Sequence, residues 1–487
     1  VSGLAAGTTY YFAVKAKDEA RNTSLLSNVA SATTSGTADT TAPAAVTLTA
    51  SAPTVSTAQL TWTAPGDDGS AGTAAGYEVR FSPSLITDQS WDGATKAFGA
   101  PVPAAAGTSQ SMTVRGLKPG TTYYFALRTR DKAGNVSALS NVASLATTAS
   151  PGGYIVSGAS SMDLHTSLAQ AGSIYYAVYN AAQSSPTPAG IKAAAQGATG
   201  GALVRNGVIP VTTGDIGRDL LRQLTGLPDN ATYYTYLVGE GSAGLGTVYS
   251  YVNTLESRLK VFSFASSATN QGNVKYMAYV PEDYYKNPNA EYPLLMFLHG
   301  YEERGNDINL VKKHGPLKQI SEGQELPFII IAPQVPYDVD DWPNRGPDFI
   351  DRFVLDAQAR YPTDPKRFYV TGLSVGGGGT LYYAKEFPEK VAAIVPVAAK
   401  ISSIPSINES AARKLNEIPM WAFTNDNDPI VPKSYNIELL LKMMNKCQMP
   451  PYPTPLYTIY PTSGHDSWST TYSNPDVYAW LLNQTKP

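Results

Sequence analysis

The run Phe368-Tyr-Val-Thr371 passes directly into Gly372-Leu-Ser-Val-Gly376, and three further glycines then lead into a helical stretch. This junction constrains the chain more than any other segment. A serine with glycine two residues away on either side, set between a strand and a helix, occupies a turn sharp enough to lift its hydroxyl above the edge of a sheet. A Cβ at either flanking position would collide with neighbouring backbone, so glycine stands at both. Ser374 is therefore the candidate nucleophile.

The surroundings supply the sheet that such a turn needs. Apolar runs at Val274–Val280, Leu294–Leu298, Phe328–Ala332, Phe368–Thr371, Val391–Val397, Met420–Phe423 and Leu456–Tyr460 read as strands, and Phe349–Arg360, Gly377–Phe387, Ser434–Lys446 and Asp476–Gln484 read as helices. Near-continuously apolar strands joined by helices predict a mainly parallel sheet covered on both faces, here over residues 258–487.

A neutral serine is a weak nucleophile and needs an imidazole within hydrogen-bond reach, itself oriented by a carboxylate. The chain has four histidines. A serine on a turn of this kind takes its partners in the chain order serine, acid, histidine. His299 and His314 precede Ser374 and His165 lies far upstream, which leaves His465 in Thr462-Ser-Gly-His-Asp-Ser-Trp468. For the acid, Thr424-Asn-Asp-Asn-Asp-Pro-Ile-Val-Pro432 offers Asp426 and Asp428, while Asp466 beside the base is expected to face solvent.

The run Asp428-Pro-Ile-Val-Pro432 resembles the carboxylesterase and acyl-thioesterase pattern in which the aspartate ahead of Val-Pro orients the histidine, and the resemblance selects Asp428. The tetrahedral intermediate of acyl transfer also needs preorganised N–H donors. One is expected from Val375, directly after the nucleophile, and one from the loop after Leu294–Leu298. That loop, His299-Gly-Tyr-Glu-Glu-Arg-Gly305, resembles the signature of secreted α/β-hydrolase serine esterases, a group of predicted peptidases related to polyhydroxybutyrate depolymerases and feruloyl esterases. The resemblance continues through Pro333-Gln334, Trp342, the Gly-His-Asp-Ser-Trp segment and Tyr478-Ala-Trp-Leu-Leu482, and so covers nearly all of 258–487. It gives Tyr301 the second donor position and departs from the pattern at Glu302, where glycine is common. Glu303 and Arg304 are expected to form a local ion pair. Trp342 and Trp468 could line a substrate pocket; for Trp468, packing against the final helix is the equal alternative.

Upstream the periodicity changes from runs to alternation. Gln59–Thr63, Tyr77–Phe81, Ser111–Val114 and Tyr123–Thr129 alternate apolar and polar residues between Pro, Gly and Asp clusters, which predicts a two-sheet β-sandwich over 42–149. With Trp62, Leu117 six residues before Tyr123, and Asp131-Lys-Ala-Gly-Asn135, this segment resembles a fibronectin type III module, in which Tyr123 would be the corner tyrosine. Leu4 to Phe12 repeats as Leu117 to Phe125, and Asn22 and Asn28 recur as Asn135 and Asn141, so residues 1–35 read as the C-terminal part of a further module. Residues 151–255 read as a third, divergent sandwich, with Leu227 six residues before Tyr233; its Tyr175, Tyr234 and Tyr236 could either stack on sugar rings or fill the core.

Composition closes off other classes. With 15% charged residues and a net charge of -3, the chain presents no basic field for nucleic acid or an anionic membrane, and no stretch is apolar enough to insert in a bilayer. A single cysteine, Cys447, allows no disulfide within the chain, the histidines are too scattered for a metal site, and acyl transfer by a serine requires no cofactor. The expected function is a secreted or cell-surface serine hydrolase of carboxylic esters, on an extracellular polymer by analogy with modular bacterial enzymes, with carbohydrate contact through the sandwiches as a further expectation. A serine peptidase of the prolyl-oligopeptidase type and an adhesin or scaffold with an inactive hydrolase domain are the alternatives.

Overall fold

The computed structural model describes residues 9–15, 24, 27–33, 39–150, 152–265, 273–337, 339, 341–401, 413–435, 438, 440–441, 444 and 453–486. Most of the expected helix 434–446, most of 1–35 and Cys447 lie outside them. Near the start, Thr9–Phe12 pairs antiparallel with Ala30–Thr33.

In the alternating segment, Thr49–Ser51, Ala58–Thr63 and Ser109–Val114 form a three-stranded antiparallel sheet. It faces a four-stranded one made by Thr95–Ala97, Gly76–Ser82, Thr122–Arg130 and Ala143–Ala146. Leu60, Trp62, Val79, Phe81 and Phe125 close the core between them. The Tyr123 hydroxyl accepts the Lys118 N–H at 3.1 Å, which fixes the corner where the chain enters its longest strand.

The next segment repeats this plan with sheets of three and four strands, and the Tyr233 hydroxyl donates to the Pro228 carbonyl at 3.0 Å. Here the helix Pro188–Ala195 lies across the outer face of the larger sheet and buries Tyr175 and Tyr236, each 5% exposed. Tyr234 packs partly buried in the same cluster. Tyr175 and Tyr236 therefore fill a core, and Tyr234 packs against it.

From Leu259 the chain builds one eight-stranded sheet. Its strands are β1 (Leu259–Ala265), β2 (Asn273–Tyr279), β3 (Tyr292–Leu298), β4 (Ile329–Gln334), β5 (Thr363–Leu373), β6 (Ala393–Val397), β7 (Trp421–Asn427) and β8 (Leu456–Ser463). The spatial order is β1-β2-β4-β3-β5-β6-β7-β8, with β2 antiparallel to both neighbours and the rest parallel. The strand β1 was not legible as an apolar run, because it lies at the edge of the sheet and Lys260 and Ser263 interrupt its apolar residues.

Burial on both faces explains the unbroken apolar strands. Leu294, Met296 and Leu298 of β3 point into a core closed by α2 (Pro347–Arg360) and α3 (Val375–Glu386). Leu295 and Phe297 point the other way, toward α1 (Gly315–Ser321), α4 (Trp468–Ser473) and α5 (Pro475–Leu482). Each such side chain contributes about 1.5–3 kcal/mol on burial. All functional loops then emerge at one edge, the carboxyl ends of β3, β5, β7 and β8.

This domain is also clasped to the sandwich before it. Glu282 accepts the Ser160 N–H at 2.9 Å and the hydroxyls of Ser160 and Ser161 at 2.8 and 2.6 Å. Lys286 reaches Asp163 at 2.8 Å, with both side chains largely shielded.

Candidate active site

Ser374 stands between β5 and α3 with φ 54° and ψ −116°, a conformation that costs a non-glycine residue about 1–3 kcal/mol. Backbone bonds hold it there: the Ser374 N–H donates to Val397 O at 2.9 Å, and the Lys400 N–H donates to Ser374 O at 3.0 Å. The flanking glycines have a direct steric cause. A Cβ on Gly372 would lie 2.4 Å from Gly376 O, and one on Gly376 would lie 2.0 Å from Leu298 O and 2.5 Å from His299 O. Those atoms are backbone and cannot swing aside. Gly376→Ala is expected to destabilise the domain by about 3 kcal/mol through overpacking. The corresponding thermal transition should fall by about 6–12 °C, checked by calorimetry.

The loop after β8 returns His465 to this turn. Its Nε2 lies 2.8 Å from Ser374 Oγ, and its Nδ1 lies 2.6 Å from Asp428 Oδ2. Asp428 is 4% exposed, and its other oxygen accepts the N–H groups of Ile430 and Val431, each at 2.9 Å. One carboxylate oxygen is thus fixed by the turn, and the second is free to hold the imidazole. Asp426 instead pairs with Lys433 on the surface. Asp466 is exposed and accepts the Ser469 N–H at 2.9 Å.

The loop after β3 runs close to the serine. The Val375 N–H opens α3, and the Tyr301 N–H opens the short turn Tyr301–Glu303. The first residue of a helix has no earlier turn to donate to, so such N–H groups remain available for an anion. A Cβ on Gly300 would come within 2.6 Å of the end of the Leu373 side chain, which would have to move to admit it. Glu302 turns to solvent and pairs with Lys313 at 2.9 Å, so its departure from glycine intrudes on nothing.

Two expectations need correction. Glu303 does not pair with Arg304; its buried carboxylate lies 3.6 Å from His314 Nε2 and 3.7 Å from Lys313 Nζ. Burial raises its pKa. Arg304 caps the carbonyls of Tyr301 and Val339, both at 2.9 Å, and lies 3.5 Å over the Tyr301 ring. Adjacent residues on a tight turn point apart, so sequence neighbours need not meet. Trp342 is 0% exposed and lines no open pocket: its indole N–H donates to His299 O at 3.0 Å, and its Cβ lies 2.9 Å from where a Gly379 Cβ would be. Trp468 does reach the site, edge-on to His465 with centroids 5.1 Å apart and next to His314 at 5.5 Å.

His299 is the buried keystone of the β3 loop. Its Nδ1–H donates to Gly300 O at 2.6 Å, and its Nε2 accepts the Val335 N–H at 3.1 Å, which fixes the neutral tautomer. Burial lowers its pKa to about 4. Because this value lies below that of the unfolded chain, about 6.5, stability from His299 is complete above pH 6.5 and is lost as pH falls toward 4. Between pH 7 and 4.5 the loss is about 2–3 kcal/mol. Urea unfolding at both pH values should show that decrement in the wild type and not in His299→Gln.

Among the described residues no group of three or more His, Cys, Asp or Glu could hold a metal ion, and no helix is long and apolar enough to cross a membrane.

The fibronectin type III domain family matches residues 41–145, and the putative esterase family matches residues 266–434. Chitinase A1 of Niallia circulans is 38% identical over 152 residues, 31% of this chain and 19% of that protein. The poly(3-hydroxybutyrate) depolymerase of Ralstonia pickettii is 27% identical over 188 residues, 34% of this chain and 38% of that protein. The chain therefore spans well under half the length of either relative. A solved thermostable esterase, 22% identical, covers 69% of this chain and 97% of its own with a TM-score of 0.39.

Proposed function

From a chain that joins a fibronectin type III domain to a domain of the putative esterase family, we propose a secreted hydrolase of carboxylic esters acting through Ser374, His465 and Asp428. The observation that carries this reading is the continuous chain of contacts, 2.8 Å from Oγ to Nε2 and 2.6 Å from Nδ1 to Oδ2. Ser374 Oγ attacks the ester carbonyl while His465 Nε2 takes its proton. The carbonyl oxygen becomes an oxyanion held by the N–H groups of Val375 and Tyr301, each such donor being worth about 10²–10³ in rate. His465 then gives the proton to the leaving alkoxide, and Asp428 stabilises the imidazolium in between. Water repeats the sequence on the acyl-enzyme and releases the acid. Trp468, beside His465, forms one wall of the substrate site.

The substrate we propose is an ester that forms, or is attached to, an extracellular polymer. The relative named for poly(3-hydroxybutyrate) depolymerisation and the one named as a chitinase support this, and the sandwiches ahead of the catalytic domain would space it from the polymer or touch carbohydrate. The test is turnover by the whole chain of p-nitrophenyl acetate, methyl ferulate, a suspension of poly(3-hydroxybutyrate) and a prolyl p-nitroanilide peptide. Ester cleavage without peptide cleavage is the expected result. Peptide cleavage alone would establish the peptidase alternative, and inertness toward all four would favour a scaffold.

A further inference from the structure

The imidazole is only as well placed as the loop that carries it, and that loop begins at an irregularity. Strands β7 and β8 pair in register up to Asn425 opposite Tyr460, but the next pair is Asn427 opposite Ser463. One residue of β7, Asp426, thus lies opposite two of β8, Pro461 and Thr462, a bulge-like shift of register of the kind found beside active sites, where it re-aims a side chain. Within it lies Pro461, which has no N–H to give to the ladder.

A side chain bridges the gap. Asn425, 2% exposed, donates from Nδ2 to Gly464 O at 2.9 Å and accepts at Oδ1 from the Thr462 hydroxyl at 2.8 Å. The Gly464 N–H returns to Asn427 O at 3.0 Å, and Gly464 has φ 98°, the reversal that throws the next residue back over the sheet edge. That next residue is His465. Asn425 also lies on β7, whose last residue Asn427 directly precedes Asp428, so one amide ties the strand that leads to the acid to the base-bearing loop.

We infer that Asn425 is a positioning residue for the His465–Asp428 pair, acting through Gly464 and Thr462. The inference rests on the triad reading above. It predicts an effect on the chemical step and not on substrate binding, since Asn425 touches neither Ser374 nor the open face.

The test compares whole-chain Asn425→Asp, Thr462→Val and Ser374→Ala on a short-chain p-nitrophenyl ester. Asn425→Asp keeps size and the Thr462 bond but sets a carboxylate oxygen against Gly464 O. A displacement of the base by about 1 Å costs about 10²-fold, so kcat should fall by about that factor with KM within about twofold. The low-field proton resonance of the Nδ1–H to Asp428 bond should broaden or shift. Thr462→Val, which spares the buried amide, should lower kcat about threefold and decides the matter if Asn425→Asp does not fold. The inference is overturned if both variants keep wild-type kcat and an unchanged resonance while Ser374→Ala is inactive. Turnover surviving in Ser374→Ala would instead overturn the triad reading itself.

Discussion

Replacing Ser374 with alanine lowers kcat for a short-chain ester by about 10⁶, the magnitude expected when the group that forms the acyl-enzyme is removed from a cooperating triad. The residual rate should still exceed that of water, because the N–H groups of Val375 and Tyr301 continue to stabilise the oxyanion formed by direct hydrolysis. Structure should be preserved, since the backbone bonds at position 374, to Val397 O and from Lys400 N–H, do not involve the hydroxyl. Steady-state kinetics with circular dichroism on the same preparation decides it. A folded variant retaining more than about a thousandth of wild-type turnover would mean that another residue is the nucleophile.

Asp428→Asn should cost about 10⁴ in kcat, for a different reason. The amide is the same size and can still accept the Ile430 and Val431 N–H groups with its oxygen. Its NH₂ then confronts His465 Nδ1, which favours the tautomer with the proton on Nε2, and that nitrogen can no longer accept from Ser374. The companion Asp426→Asn should stay within about twofold of wild type, because Asp426 is engaged only in a surface ion pair of small energetic value. Equal losses in the two variants would mean that the carboxylates contribute general field rather than orientation.

The proposed nucleophile and base could be singled out because their constraints are local or subtractive. The turn around Ser374 needs glycines at fixed offsets, and three of the four histidines are in the wrong place along the chain. Asp428 was preferred to Asp426 through the resemblance of its Asp-Pro-Ile-Val-Pro run alone, and the structure adds that the N–H groups two and three residues on fold back to its carboxylate. Other features depend on residues remote in sequence. Trp342 reads as a pocket aromatic until Gly379, a helix away, is seen to leave it room in the core. Tyr175 and Tyr236 read as exposed until the short helix 188–195, whose only large apolar side chain is Ile191 and which therefore shows no apolar stripe, is laid over them. Asn425 reads as the polar end of a strand; only the register shift opposite Pro461 reveals what its amide replaces.

The grip of Glu282 and Lys286 on Ser160, Ser161 and Asp163, together with only three residues between Leu255 and Leu259, makes the sandwich that precedes the eight-stranded sheet a handle on the hydrolase rather than a bead on a string. An enzyme so mounted meets its target at one angle. Whatever the upstream modules rest on would present its ester bonds to the serine from a constant direction, and swivelling would have to come from joints nearer the beginning of the chain.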